Sequence, residues 1–204
     1  MKVGTKSLLF GVHQFLLHPI FVALAWRKFY GEWPTKPHPD YWRRSRGERS
    51  PQWPVWLAFL VHDWGYWGCA TIDGEDGKQH PLVGAQILGR LYGEQWGRFC
   101  KYHSRSLARL DKVNPSDLCA PDKLAILFYP RWLYLLLARA SGELLEYMRN
   151  SDSPAGRSVG IDTSTPEAWF DSTRAYMLRV VEKLRRGADA GVPPEMMRSE
   201  AQVP

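Results

Sequence analysis

Twice in this chain a histidine stands directly before a proline that opens an apolar run with helical spacing, at His18-Pro19 and again at His80-Pro81. Proline suits the first turn of a helix, where its missing N–H has no partner to lose, so each pair predicts a helix start with an imidazole at its mouth. After Pro19, the residues Ile20, Phe21, Ala23, Leu24 and Ala25 carry a helix to about Phe29. After Pro81, the spacing puts Val83, Ile87, Leu88 and Leu91 on one face of a second helix. Between the two, the apolar run Val55 to Val61 leads straight into His62-Asp63 and stops near Gly65. The acidic, glycine-containing stretch Asp73 to Gly77 reads as a turn.

The second half continues in the same style. The pattern predicts a helix over about Glu94 to Ala108, another over Ser116 to Phe128 that carries Asp122, and a long one over Arg131 to Met148. No segment of any length alternates as a strand does, so the expected fold class is all-α. Residues 1–150 are expected to form one helical domain. Residues 151–166, rich in Gly, Ser, Thr and Pro, are expected to be a mobile connection, 167–187 an amphipathic helix packed on the domain, and 188–204 a disordered tail. Gly31 to Pro54 holds five prolines and reads as a long ordered loop of the kind that often carries function.

Composition narrows the function classes. At 204 residues the chain can bury one good core, and ten Trp demand either that core or a stacking site. The net charge of +6 favours anionic partners without choosing among nucleotides, nucleic acid and acidic membranes. The cluster Arg43, Arg44, Arg46 and Arg49 lies in the Pro-rich loop and reads as a solvated rim. Three widely spaced cysteines, Cys69, Cys100 and Cys119, indicate neither a disulfide framework nor a zinc knuckle and fit reduced thiols in a cytoplasm. The apolar run Leu8 to Val12 is too short for a signal-peptide core. The run Leu124 to Ala138 is broken by Pro130 and Arg131, so no membrane span is expected.

Six histidines occur in all, and His18, His62, His80 and His103 fall at helix ends or inner turns, with Asp63 and Asp122 as acidic companions. Imidazoles and carboxylates arriving from separate helices are how helical bundles build metal centres. The mixed N/O set suits Mn, Fe, Co, Ni or Zn, and a carboxylate can bridge two ions. His13 and His38 read instead as hydrogen-bonded core or surface residues.

The ordered segments His18-Pro19, His62-Asp63, His80-Pro81 with Gly84-Ala85, Tyr102-His103 and Asp122-Lys123-Leu124 resemble the HD superfamily of metal-dependent phosphohydrolases in its two-metal H…HD…H…H…D form. The context of His80 is similar to the HD-GYP and dinucleotide tetraphosphatase branches, although the GYP tripeptide is absent. The resemblance covers about residues 18–128 and implies one HD-domain helical bundle with its metal site between helices. It implies His18, His62, Asp63 and Asp122 around a first divalent ion, with His80 and His103 joining a bridging Asp63 at a second. The chain departs from the family at Trp64-Gly65-Tyr66-Trp67-Gly68, where many members carry a phosphate-binding Lys, and at Pro121, which places Asp122 at a kink or a helix start.

By that resemblance the expected function is hydrolysis of a nucleotide, dinucleotide or other small-molecule phosphate ester by metal-activated water, with Asp63 as the catalytic residue. Lys78, Arg105 and Lys123 are candidates for phosphate contacts. Tyr66, with Trp64 and Trp67, is a candidate for stacking on a base or closing the pocket. Two rivals are a mixed-valent di-iron oxygenase, the chemistry of some HD relatives such as inositol oxygenase, and a catalytically silent module that binds nucleotide or nucleic acid.

Overall fold

The computed structural model describes residues 1–31, 33 and 53–185. His38, the arginine cluster 43–49, most of the Pro-rich loop and the tail 188–204 lie outside these residues. Among them the protein is all-α, with no strand. The helices are α1 (Val3–Phe10), α2 (Leu17–Tyr30), α3 (Trp53–Val61), α4 (Pro81–Tyr92), α5 (Glu94–Lys101), α6 (Arg105–Leu110), α7 (Cys119–Leu124), α8 (Arg131–Ser141), α9 (Glu143–Ser151), α10 (Pro154–Ser158) and α11 (Pro166–Arg185). Short 3-10 turns occupy Trp64–Tyr66, Gly77–Gln79 and Ala125–Phe128.

Two apolar clusters flank the centre of the molecule. The first gathers Val22 and Trp26 of α2, Phe59 and Val61 of α3, Leu88 of α4, and Trp96 and Phe99 of α5. The second joins Val12, Tyr129, Tyr134, Leu135, Trp169 and Phe170, and so ties α8 and α11 to the start of the chain. Burying each such side chain contributes about 2 kcal/mol. The tryptophans split between roles: Trp26, Trp96 and Trp169 are buried, whereas Trp67 and Trp132 are exposed.

Several boundaries differ from the sequence expectation. On α4 the buried face is Pro81, Gly84 and Leu88, while Val83 and Leu91 face outward. Gly84 explains the rotation: a Cβ there would come within 2.6 Å of the Val61 carbonyl and 2.7 Å of Cys100 Sγ, so α4 approaches α3 and α5 through its backbone. The helix expected over Glu94 to Ala108 is two helices. Between α5 and α6 the chain breaks at Tyr102–Ser104, where the Ser104 hydroxyl accepts from the Leu107 N–H and starts α6. The long helix expected over Arg131 to Met148 also breaks, at Gly142, whose φ of 92° no helix accommodates. The helix expected over Ser116 to Phe128 is the short α7 followed by a 3-10 turn, with Pro121 in the first turn of α7.

The stretch expected as a mobile connection contains α10, capped by Ser153, and is tied to α11 by Arg179 donating to the Val159 carbonyl and by Asp162 N–H donating to Ser172 Oγ. All three cysteines are free and buried. Among the described residues no helix is long and apolar enough to cross a membrane.

Candidate metal centre

The helix breaks are what bring the chemistry together. His18 sits in the first turn of α2, His62-Asp63 just past the end of α3, His80 directly before α4, His103 in the break between α5 and α6, and Asp122 in the first turn of α7. All six side chains are buried. A helix end is where a side chain can turn inward without a neighbouring turn crowding it, and five ends converge here.

The six residues form two groups that share Asp63. In the first, His18, His62, Asp63 and Asp122 offer ligand atoms lying within 4.8 Å of one another, and Asp63, His80 and His103 do the same in the second. Asp63 Oδ2 lies 3.2 Å from both His18 Nε2 and His62 Nε2, and Asp122 Oδ1 lies 3.1 Å and 3.5 Å from the same two nitrogens. Asp63 Oδ1 turns the other way, 3.3 Å from His80 Nε2 and 3.6 Å from His103 Nε2. Each oxygen of one carboxylate thus serves one group.

The backbone fixes which nitrogen of each imidazole faces the centre. His62 Nδ1 lies 3.0 Å from the Phe59 carbonyl, His80 Nδ1 2.6 Å from the Gly77 carbonyl and His103 Nδ1 2.6 Å from the Cys100 carbonyl. With Nδ1–H donating outward, Nε2 is the atom each imidazole turns inward, the usual arrangement of metal-ligating histidines. His80 Nε2 and His103 Nε2 face each other at 3.0 Å. Two lone pairs at that distance repel unless a proton or a cation lies between them. It is also the spacing of two nitrogens each about 2.1 Å from one ion at roughly a right angle.

A further observation fits a cation to the centre. Asp63 Oδ2 faces His18 Nε2 and His62 Nε2 at 3.2 Å, but neither His62 Nε2 nor Asp63 Oδ2 has a contact with hydrogen-bonding geometry, an expensive condition for buried polar atoms. In the ion-free protein the group polarises itself instead. Burial works against charge on His62, but Asp63 and Asp122 outweigh it and raise its pKa to about 10. Burial likewise opposes charge on Asp63 and Asp122, yet His62 holds the first, and Lys123 with His18 and His62 the second, well below the usual carboxylate range. His80 goes the opposite way, with burial pressing it down to about 4, so it is neutral and free to donate its lone pair.

The four candidate substrate contacts have different surroundings. Lys78 is ion-paired with Glu75 at 2.8 Å, and Lys123 Nζ lies 3.1 Å from Asp122 Oδ2. Tyr66 is buried and stacks flat on His80, with ring centroids 3.9 Å apart and planes at 16°. That contact puts Tyr66 against His80 and not in an open pocket. Trp64 packs against the first apolar cluster and meets Phe15 edge-on, while Trp67 is exposed. Arg105 is buried, and its Nε and Nη1 have no partner. Gly65 lies against the backbone of His80 so closely that any Cβ would collide with it.

Sequence reading missed Glu143, the partner of His13; His13 itself is a hydrogen-bonded residue, as expected. His13 packs its ring 5.2 Å from that of His18 and 5.0 Å from that of Tyr66. Its Nδ1 is held 2.7 Å from Oε1 of Glu143, a fully buried carboxylate that also accepts from Ser7 Oγ, Ser141 Oγ, Tyr147 Oη and the Val12 N–H. The only sequence signal was a glutamate directly after the helix-breaking Gly142.

No protein-family model, curated protein or solved structure matches the chain.

Proposed function

We propose that the chain is an HD-type phosphohydrolase that holds two divalent transition-metal ions and hydrolyses a phosphate ester, with a nucleotide or dinucleotide as the best-fitting class. The observation that carries this reading is Asp63, whose two oxygens each face a separate buried group of imidazoles. The order of the six ligands along the chain and the net charge of +6 support it.

Bound divalent ions would supply Lewis acidity, lowering the pKa of water toward neutrality and offsetting charge on the phosphoryl oxygens. The protein's own contribution is rigidity and exclusion of water. His62, His80 and His103 are each tethered through Nδ1, so their Nε2 atoms are aimed before anything binds. Tyr66 covers one face of His80 and His13 packs against His18, which keeps bulk water off both groups. Asp63, between the groups, is where the attacking water is oriented. The water oxygen would bond to phosphorus as the ester P–O bond breaks, and one proton of that water would leave with the alcohol.

The test is elemental analysis of the purified protein coupled to a screen of nucleotides, dinucleotides and phosphodiesters. Two Mn, Co, Ni, Fe or Zn ions per chain with EDTA-sensitive hydrolysis are expected. Metal-loaded protein that turns over none of the panel overturns the reading, and two irons with dioxygen consumption would replace it with an oxygenase.

A further inference from the structure

Arg105 is the anomaly among the charged side chains near the centre. Lys78 and Lys123 each have a carboxylate partner, whereas Arg105 is only 8% exposed and has none among the described residues. Its Nε and Nη1 are sealed from solvent without a hydrogen bond. A guanidinium stays charged at any physiological pH, so it cannot relieve this burial by losing a proton as a lysine can. Chains seldom keep a buried, unpaired cation unless something outside the protein completes it.

The position indicates what completes it. Arg105 opens α6 two residues after His103, and α6 packs against the Gly77–Gln79 turn that ends at His80. Arg105 is therefore attached to the same two short segments that place the His80/His103 group. The planar fork of a guanidinium matches a tetrahedral oxyanion through two parallel N–H···O bonds, and such a bond to a charged partner is among the strongest a protein makes. The turn after Asp63 reads Trp64-Gly65-Tyr66-Trp67-Gly68 and brings no cation of its own.

We propose that Arg105 is the oxyanion-binding residue of this site, gripping a phosphate group beside the His80/His103 half of the centre. That placement rests on the hydrolase reading, but the binding itself does not require turnover. A residue kept for a ligand should be a burden to the protein without it.

The experiment compares wild-type protein, as purified, with Arg105→Met and Arg105→Lys, using inorganic phosphate as the probe. Affinity is read by calorimetry and melting temperature is recorded with and without phosphate. Phosphate should raise the melting temperature of the wild type. Arg105→Met should weaken phosphate binding by at least about tenfold and melt at or above the wild-type temperature in phosphate-free buffer. Arg105→Lys, which keeps the charge but not the fork, should fall between the two in affinity. Three results would overturn the proposal: no phosphate binding by the wild type, unchanged affinity in both variants, or a lower melting temperature or failure to fold of Arg105→Met without phosphate. The last would make the guanidinium a structural group. A metal-loaded wild type that binds phosphate through Arg105 yet hydrolyses nothing would sink the hydrolase reading alone.

Discussion

Two clusters of buried charge lie side by side in this protein and are finished in opposite ways. Around Glu143 every oxygen is occupied, by Ser7, His13, Ser141, Tyr147 and the Val12 N–H, all supplied by the chain. Around Asp63 the chain brings four imidazoles and two carboxylates together, then leaves His62 Nε2 and Asp63 Oδ2 facing at 3.2 Å without hydrogen-bonding geometry. A satisfied buried network stabilises a fold, whereas an unsatisfied one lowers stability until a ligand arrives. The contrast separates a brace from a binding site without recourse to any relative.

The contrast is breakable by experiment. Asp63→Ala should have the largest consequence, with bound metal dropping below one ion per chain and hydrolysis falling by at least about a hundredfold, since even changes beyond the direct ligands reach that scale. Elemental analysis and initial rates read this, and retained metal would place the ligands elsewhere. Glu143→Ala should act on the fold instead. Removing one partner of a buried charged network costs about 3 kcal/mol, visible as a lower denaturant midpoint. Should it strip metal while leaving stability intact, the two clusters would not be the different things described here.

Gly65→Ala sharpens the comparison within the centre. The atoms nearest the added methyl are all His80 backbone, so the ion on the His80/His103 side should be weakened more than the other. Metal titration followed by competition with a chelator would resolve the two, and equal weakening of both would refute the separation.

A smaller effect concerns pH. Burial disfavours charge on both His13 and Glu143, but their mutual contact raises the first above 6.5 and lowers the second below 4.5. The histidine contribution is complete below its unfolded pKa and disappears as pH rises through the raised value. The glutamate contribution is complete above its unfolded pKa and disappears as pH falls through the lowered value. The pair therefore stabilises most fully between about 4.5 and 6.5. In His13→Gln the alkaline decline should shrink, measured as the difference in melting temperature from wild type across pH 5 to 9. A constant difference would show that the two groups do not titrate as a pair.

The legible part of this architecture was local. Pro19 and Pro81 announce helix starts by their own chemistry, and the order of His and Asp residues around them, read through the family resemblance, pointed to the six residues that the fold brings together. Pro121 likewise pointed to a kink or a helix start at Asp122, and both residues lie in the first turn of α7, which begins at Cys119. The rest depended on distance in space. Periodicity over Glu94 to Ala108 gives no hint of the break at His103, because the carbonyl and hydroxyl contacts that stabilise it form only when the chain turns. The inward face of α4 was misjudged because hydrophobicity pointed to Val83 and Leu91, while Gly84 wins the contact by having no side chain at all. Glu143 was invisible since Ser7, Val12 and His13 lie some 130 positions away. Arg105 was one cation among several until its neighbours were known.

Because Asp63 gives one oxygen to each half, the halves do not fill independently. An ion taken up by the His18/His62/Asp122 side draws charge out of the shared carboxylate, and the His80/His103 side, with no acid of its own, then has only what is left. If both halves hold ions, uptake would be sequential, with a tenant that is hard to evict and a second that comes and goes. Protein isolated with two ions per chain would then give up the His80/His103 ion first as free metal falls, so the metal level around such a centre would act as its throttle.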